Sequence, residues 1–504
     1  MGGYVLGLDA GNTVIKAVLF DLSGGELALA AKDGHSCMAR PGHVERDLGE
    51  LWRNAVAVIR ECLDKAGVEG KDVLALGCAG HGNGLYALDR DGEPLLGIQS
   101  LDTRANGLVA EWAENGVGER SHAHCLQRPW AAQTPTLLAW LKRHDPALFA
   151  RIGTVFLSKD FVVNRLTGAR STDTTDMSGC GLLGMPGRRY VPELLEAYGL
   201  EDCASLLPPV LESAEIAGRI SPEVAGLTGL AAGTPVVAGL FDVVASAIGS
   251  GVTSTGAASI IAGTWSINQV ITDEPLHDPN IFMQSTFDPK RYLAIESSAT
   301  SAANLEWIVR EFFEHGPEGG RSPFDLCGEL VASVDPDADV PIYHPFLYGA
   351  QGNGQARAGF YGIAGWHTRA HMLRALFEGV AFEHRRHVET LRRAGAGIAE
   401  AVLSGGGSRS AVWPQIFADV LGLPVTVARS RETGALGAAI AAATGVGVFA
   451  SFAEGAEAMT AVARHYSPNC AIAPVYERRY RLYCEINNAM GPIWARMASE
   501  RAEA

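Results

Sequence analysis

No two cysteines in this 504-residue chain have CxxC spacing, and no His/Cys/Asp cluster has the spacing of a zinc site. The nine cysteines are scattered and odd in number, which reads as free thiols in a reducing compartment rather than a disulfide framework. Basic residues are in deficit: 41 Lys+Arg against 56 Asp+Glu leave a net charge of −15. That removes bulk attraction to nucleic acid or to an anionic membrane, so neither is expected as a partner. Any anion must be bound locally, by backbone N–H groups, a few cations or a metal. Long apolar runs are also missing. The stretches over 227–248 and 433–448 are broken by Gly, Pro or charge and fall short of the roughly 18 residues that a span needs. The chain runs from its first residues straight into a strand-like segment, with no basic stretch ahead of an apolar one. No secretory signal is read, and a cytoplasmic location is expected. The 59 glycines and 24 prolines follow no period, which excludes collagen-like and low-complexity classes. What remains is a globular composition, 47% hydrophobic, too long for one core; two or three domains are expected.

The chemistry sits at strand ends. Tyr4–Leu8 is a short apolar run that ends in Asp9-Ala10-Gly11-Asn12-Thr13, and Val14–Asp21 follows as a second strand, with Glu26–Lys32 as a third. Gly11 permits close backbone approach, Asn12 and Thr13 offer donors to phosphate oxygens, and Asp9 offers a carboxylate to hydrated Mg²⁺. An ordinary hairpin turn fits the same residues. Asp47 with Glu50 caps an amphipathic helix striped by Leu51, Ala55, Val58 and Cys62. The buried strand Val73–Cys78 runs into Gly80-His81-Gly82-Asn83-Gly84, and a second polar segment follows at Gln99–Arg104. Such strand ends are where α/β folds hold small molecules, although Asp102 beside Arg104 reads equally as a salt bridge.

Val236–Phe241 is a buried run ended by Asp242, and Val243–Gly249 reads as helix. A carboxylate there is placed to be desolvated and to act as a general base; it also suits a helix N-cap. Ala257–Ala262, Gly263-Thr264 and Ile267–Ile271 repeat the strand–turn–strand pattern of the N-terminus about 250 residues later. Ser404-Gly405-Gly406-Gly407-Ser408-Arg409-Ser410 lies between a strand and a helix and suits a nucleotide, but it is neither GxGxxG nor GxxxxGK[ST]. Thr433–Ala443 is an Ala-rich helix with small residues for close packing. His122, His124, His384 and His387 are expected on exposed helical or loop stretches and His144 in a charged helix end; only His81 falls in a candidate pocket.

Six motifs in order resemble the FGGY family of carbohydrate kinases. Asp9–Thr13 with Lys16 resembles the family's first phosphate motif. Pro41-Gly42-His43-Val44-Glu45-Arg46-Asp47 resembles its PGWxExD stretch, with His43 where Trp is usual. Gly239-Leu240-Phe241-Asp242 resembles the segment with the catalytic Asp, and Gly263-Thr264 the second phosphate turn. Gly359–Gly362 through Phe377-Glu378-Gly379 resembles a family signature, and Ser404–Ser410 with Trp413 and Asp419 resembles the adenosine motif. The resemblance implies an actin/hexokinase-like (ribonuclease H-like) ATPase fold of two α/β lobes, 1–248 and 249–504, each with a mixed five-stranded sheet, closing over a cleft. It implies a homodimer, ATP with Mg²⁺ held through water by Asp9, and phosphorylation of a terminal sugar hydroxyl with Asp242 as base. The sugar falls to His81, Asn83, Asp102, Arg104 and Asp242 on the first lobe. Phosphate and adenosine fall to Asp9, Gly11, Asn12, Thr13, Gly263, Thr264, Gly405, Gly406, Gly407 and Arg409, while Lys16 either neutralises phosphate or is simply solvated.

The substrate implied is a ketopentose. His81–Gly84 and Ser100-Leu101-Asp102 depart from the D-xylulose pattern, and Leu240–Val244 with Asn304–Trp307 look more like L-xylulose kinases. Ribulose, erythritol and glycerol are the alternatives. An actin-like ATPase module and a non-catalytic sugar sensor are the rival classes.

Overall fold

The computed structural model describes residues 3–313 and 322–502. The chain forms two compact units. The first comprises 1–255, 271–294 and 432–461; the second comprises 256–270, 295–431 and 462–504. The first unit thus runs past residue 248 to 255, and two later stretches return to it, 271–294 and 432–461, the second carrying the helix Thr433–Gly445.

The first unit is built on a seven-stranded sheet in the order Ile216–Arg219, Pro235–Val237, Val73–Gly80, Tyr4–Ala10, Val14–Asp21, Glu26–Asp33, with Leu240–Phe241 also paired to Val73–Gly80. Tyr4–Ala10 is antiparallel to Val14–Asp21 and parallel to Val73–Gly80. The helix Leu48–Ala66 lies on this sheet, burying Leu51, Ala55, Val58 and Cys62. Its N-cap Asp47 accepts the Glu50 N–H, and it stops at Gly67 in the left-handed region.

The second large sheet runs Met283–Thr286, Tyr292–Ser298, Ser266–Thr272, Gly256–Ala262, Ile398–Ser404, Val425–Ala428, Val462–Tyr466. Here Gly256–Ala262 is antiparallel to Ser266–Thr272 and parallel to Ile398–Ser404. The N-terminal motif therefore recurs: a hairpin with a three-residue tip and a parallel strand on its other side. Both large sheets have seven strands, not five, since short edge strands such as Ile216–Arg219 extend the expected cores and carried no strong apolar alternation.

Small residues set how closely these layers meet. A Cβ on Gly7 would lie 1.9 Å from the Ala435 carbonyl oxygen, and one on Gly437 would lie 1.9 Å from that of Ala245. The Thr433–Gly445 helix can thus rest against the Tyr4–Ala10 strand and the Asp242–Gly249 helix at backbone distance. This brings the start of that helix to Asp9: a Cβ on Gly434 would stand 2.9 Å from the Asp9 carboxylate.

In the second unit the helix Arg369–Arg393 is buried for most of its length. His384 and His387, expected on an exposed face, are inside. His384 bridges Ser301 and Asn268, and His387 bonds Ser298. The helix's charges read as a solvated face in sequence, but many are paired internally, as in Arg374–Glu378–Arg479 and Glu383–Arg386.

Candidate active site

In the first unit, three strand ends converge. Asp9 ends Tyr4–Ala10, His81 follows Val73–Gly80, and Asp242 follows Leu240–Phe241. The His81 N–H donates to the Ala10 carbonyl at 3.3 Å, which ties the first two together. Phe241, not Asp242, is the N-cap; Asp242 is the first residue of the Asp242–Gly249 helix and accepts its neighbour Val243's N–H. Burial, and then the charge of Asp9, push the Asp242 carboxyl up to about 8. Burial raises Asp9 to about 6; Lys16 opposes this and Glu432 adds to it. The two carboxylates thus stand close enough for the Asp9 charge to disfavour ionisation of Asp242. That is the environment of a base tuned to neutral pH.

The turn after Asp9 is held from behind. Arg46 donates to the Gly11 carbonyl at 2.7 Å, and Gln99 donates to the Asn12 carbonyl at 2.6 Å. Asn12, expected to offer its amide to phosphate, donates it to Ser100 at 2.8 Å. Thr13 is exposed at the tip. Lys16 pairs with Glu432 at 2.7 Å, a partner sequence reading missed because 416 positions separate the two.

The residues expected to read sugar divide. His81 is buried. Its Nε2 meets the Tyr86 hydroxyl at 2.8 Å, and burial lowers it to about 4, so it is neutral. Asn83 is buried with φ 62°, and its Oδ1 has no hydrogen-bond partner among the described residues. The Asp102 oxygens are taken by the Val44 N–H at 2.6 Å and by Arg104, whose guanidinium also reaches Glu45. Arg104 lies over Trp140, and His43, in the place where the family usually has Trp, meets the same ring edge-on. Asp102 and Arg104 therefore brace the loop. Sequence reading missed Trp130 and Gln133, whose polar side-chain atoms are buried without hydrogen-bond partners among the described residues. The Gly84 N–H donates to the Ala132 carbonyl, which sets this segment beside the His81–Gly84 loop. No motif marks them.

Gly82 has a packing reason. A Cβ there would stand 2.4 Å from the Phe241 ring, one residue before Asp242. Gly82→Ala should therefore move Phe241 and lower kcat by at least about tenfold while the protein still folds. Unchanged turnover would show that Phe241 shifts freely.

The second unit has a cavity of about 350 Å³, lined in part by Glu306, Phe324, Asp325, Gly406, Arg409 and Trp413. Gly405 has φ 80° and lies so close to Ala262 and Gly263 that a Cβ would fall 3.0 Å from them; Gly406 is exposed at the cavity. Trp413 stacks on Phe377 and donates Nε1–H to its carbonyl. Asp419 instead anchors the Asn469 N–H and Gln415. The Gly263 N–H donates to the Trp265 carbonyl, its own carbonyl accepts from Ala302, and Thr264 is exposed.

With this geometry described, two family models account for most of the chain. Residues 4–249 match the N-terminal domain of the FGGY family of carbohydrate kinases, and residues 258–446 match its C-terminal domain. The chain belongs to the FGGY family of carbohydrate kinases. It is 36% identical over 502 residues, 99% of each chain, to the L-xylulose/3-keto-L-gulonate kinase of Escherichia coli (strain K12). It is 34% identical to the "Probable L-xylulose kinase" of Pasteurella multocida (strain Pm70), over 97% of this chain and 99% of that one. The crystal structure of xylulose kinase from Rhodospirillum rubrum superposes with a TM-score of 0.88 at 30% identity, covering 98% of this chain and all of that one. This kinase is a phosphotransferase acting on a sugar hydroxyl, which replaces the reading as a mechanical ATPase module. Among the described residues no helix is long and apolar enough to cross a membrane.

Proposed function

We propose that this kinase transfers the γ-phosphoryl group of ATP to the terminal hydroxyl of a ketopentose, L-xylulose foremost. The observation that carries the mechanism is the Asp242 carboxyl, half-buried at a helix start beside Asp9. The hydroxyl oxygen forms the new bond to γ-phosphorus, the bond to the β-bridging oxygen breaks, ADP leaves, and the hydroxyl proton passes to Asp242. Little covalent help is needed, so positioning and charge do most of the work. Asn83 Oδ1, with Trp130 and Gln133, offers unpaired polar atoms to sugar hydroxyls. His81, neutral and with its ring nitrogens facing the Tyr86 hydroxyl and the Gly82 carbonyl, shapes the loop rather than taking a proton. The first unit supplies base, sugar contacts and the Asp9–Thr13 turn. The second supplies the Gly263-Thr264 turn and the nucleoside cavity, where Glu306 and Asp325 can accept from amino or hydroxyl groups.

The residues present suit Mg²⁺. Asp9 is a hard oxygen donor in a corner with excess negative charge, and among the described residues no group of three or more His, Cys, Asp or Glu forms a protein-only cage. Asp9 would hold such an ion through water, and the ion would neutralise phosphate charge.

L-Xylulose is favoured by the 36% identical relative, which is a kinase for L-xylulose and 3-keto-L-gulonate, and D-xylulose is the alternative. ADP release with MgATP across D- and L-xylulose, D- and L-ribulose, glycerol and erythritol tests this. A clear preference for L-xylulose supports the reading; a preferred polyol or ribulose replaces it. Light scattering tests the homodimer expected from the resemblance.

A pH dependence follows. The free enzyme must lose the Asp242 proton to act, so kcat/KM should climb with pH up to about 8. Asp9→Asn removes one cause of the raised value and should move that climb to lower pH, whatever it does to the maximum. A profile that stays in place would separate the two carboxylates.

A further inference from the structure

Behind the Asp242 strand end lies a charged cluster that the mechanism above does not use. Lys159 is fully buried and contacts three buried carboxylates, Asp160, Asp173 and Asp176. Its Nζ is 2.9 Å from Asp173. Asp173 caps the helix Thr174–Gly179 and accepts the Thr175 hydroxyl at 2.6 Å. The Thr175 hydroxyl oxygen in turn accepts the backbone N–H of Phe241 at 2.9 Å. The other end of the same short helix meets the same residue: a Cβ on Gly179 would fall 3.0 Å from the Phe241 ring, whose opposite neighbour is Gly82. The Lys159 stem fills the space behind Gly80 and Gly239, so both strand ends rest on it.

We infer that Thr175, fixed by Asp173 and Lys159, is a positioning residue for Asp242: it holds the Phe241 N–H and so sets where the next residue's carboxylate stands. This rests on the reading of Asp242 as the base. The physical case is one of alternatives. Buried ion clusters are poor stabilisers, and well-packed apolar side chains often serve as well or better. What apolar filling cannot supply is a fixed acceptor for a buried backbone N–H at the residue that precedes the base. The Leu240–Phe241 strand is two residues long, with two register pairs to the sheet, Leu240 with Ala79 and Phe241 with Gly80. The strand alone therefore does little to fix the carboxylate, and the link through Thr175 adds a constraint from the opposite side.

The test compares three variants with Asp242→Asn, reading ADP release with MgATP and the ketopentose preferred in the panel. Thr175→Val keeps the shape and removes the acceptor; kcat should fall about 10²-fold, as misplacement by about 1 Å does. KM for sugar and ATP should stay within about threefold, the pattern of an interaction made in the transition state. Thr175→Ser, which restores the hydroxyl, should regain most of kcat. Thr172→Val removes a hydroxyl that bonds Asp160 at 2.8 Å in the same cluster but does not hold Phe241. It should lower the melting temperature comparably yet keep the parent kcat. If Thr175→Val keeps the parent kcat, or if Thr172→Val loses kcat in parallel with it, the inference is overturned. Should Thr175→Val fail to fold, Thr175→Ala is read by the same ratios. An active Asp242→Asn would overturn the base reading itself; an inactive Asp242→Asn beside a fully active Thr175→Val would overturn the positioning role alone.

Discussion

Asp242→Asn is expected to fold, to bind ATP as the parent does, and to lose about 10²–10⁴-fold in kcat, the usual cost of a missing general base. The amide keeps the volume of the side chain at the helix start but cannot take the hydroxyl proton. Its stability should separate it from a merely damaged protein. In the folded parent the Asp242 carboxyl titrates near 8, against 3.8 for an exposed one. A carboxyl whose folded value is raised contributes stability that is complete below the unfolded value and is lost as pH rises through the folded one. Between about pH 4 and 8 the parent therefore loses stability that an uncharged amide does not lose. Asp242→Asn should melt higher than the parent at pH 8, with the difference shrinking towards pH 4. A mutant with near-parental turnover would remove Asp242 from the chemistry. One that melts lower at every pH would mean that the carboxylate is structurally satisfied and not strained.

Gly406→Arg is expected to close the nucleoside cavity. Gly406 is exposed on the lining, where a Cβ meets nothing nearer than 4.0 Å, so the backbone tolerates the change and the side chain enters the cavity space. An adenine excluded from that surface forfeits roughly 100 Å² of apolar contact, about 2.5–3 kcal/mol, which is on the order of 100-fold in affinity. Sugar binding, assigned to the first unit, should be unchanged, so the ATP KM should rise with sugar affinity intact by direct titration. Equal ATP affinity in the variant would remove the nucleoside from this cavity. Loss of both affinities together would point to a folding defect.

The parts of the site legible in sequence are those where local chain geometry and chemistry coincide. Asp9 and Asp242 each end a short apolar run, a place where a carboxylate is readily desolvated once other segments pack over it. The recurrence of strand, three-residue tip and strand at Tyr4–Asp21 and Gly256–Thr272 was also visible, because hairpins are encoded locally. The Ala-rich stretch at Thr433–Ala443 announced close packing through residue size alone.

Other features were hidden because they depend on pairs far apart in the chain. Lys16 looked free until Glu432 arrived with the packed helix. His384 and His387 looked solvated because their helix carries many charges, and only the fold showed those charges paired inside. Asp102 read in sequence as a sugar ligand or a salt bridge to Arg104; the structure shows the salt bridge and adds the Val44 N–H. Trp130, Gln133 and Thr175 belong to no motif; what singles them out is burial without a partner, or a bond to the residue before the base. The family and the strand ends were legible from local order and side-chain identity. Which candidate groups bond within the chain came from the fold alone, because hydrogen-bond partners and desolvation are set by contacts between distant segments.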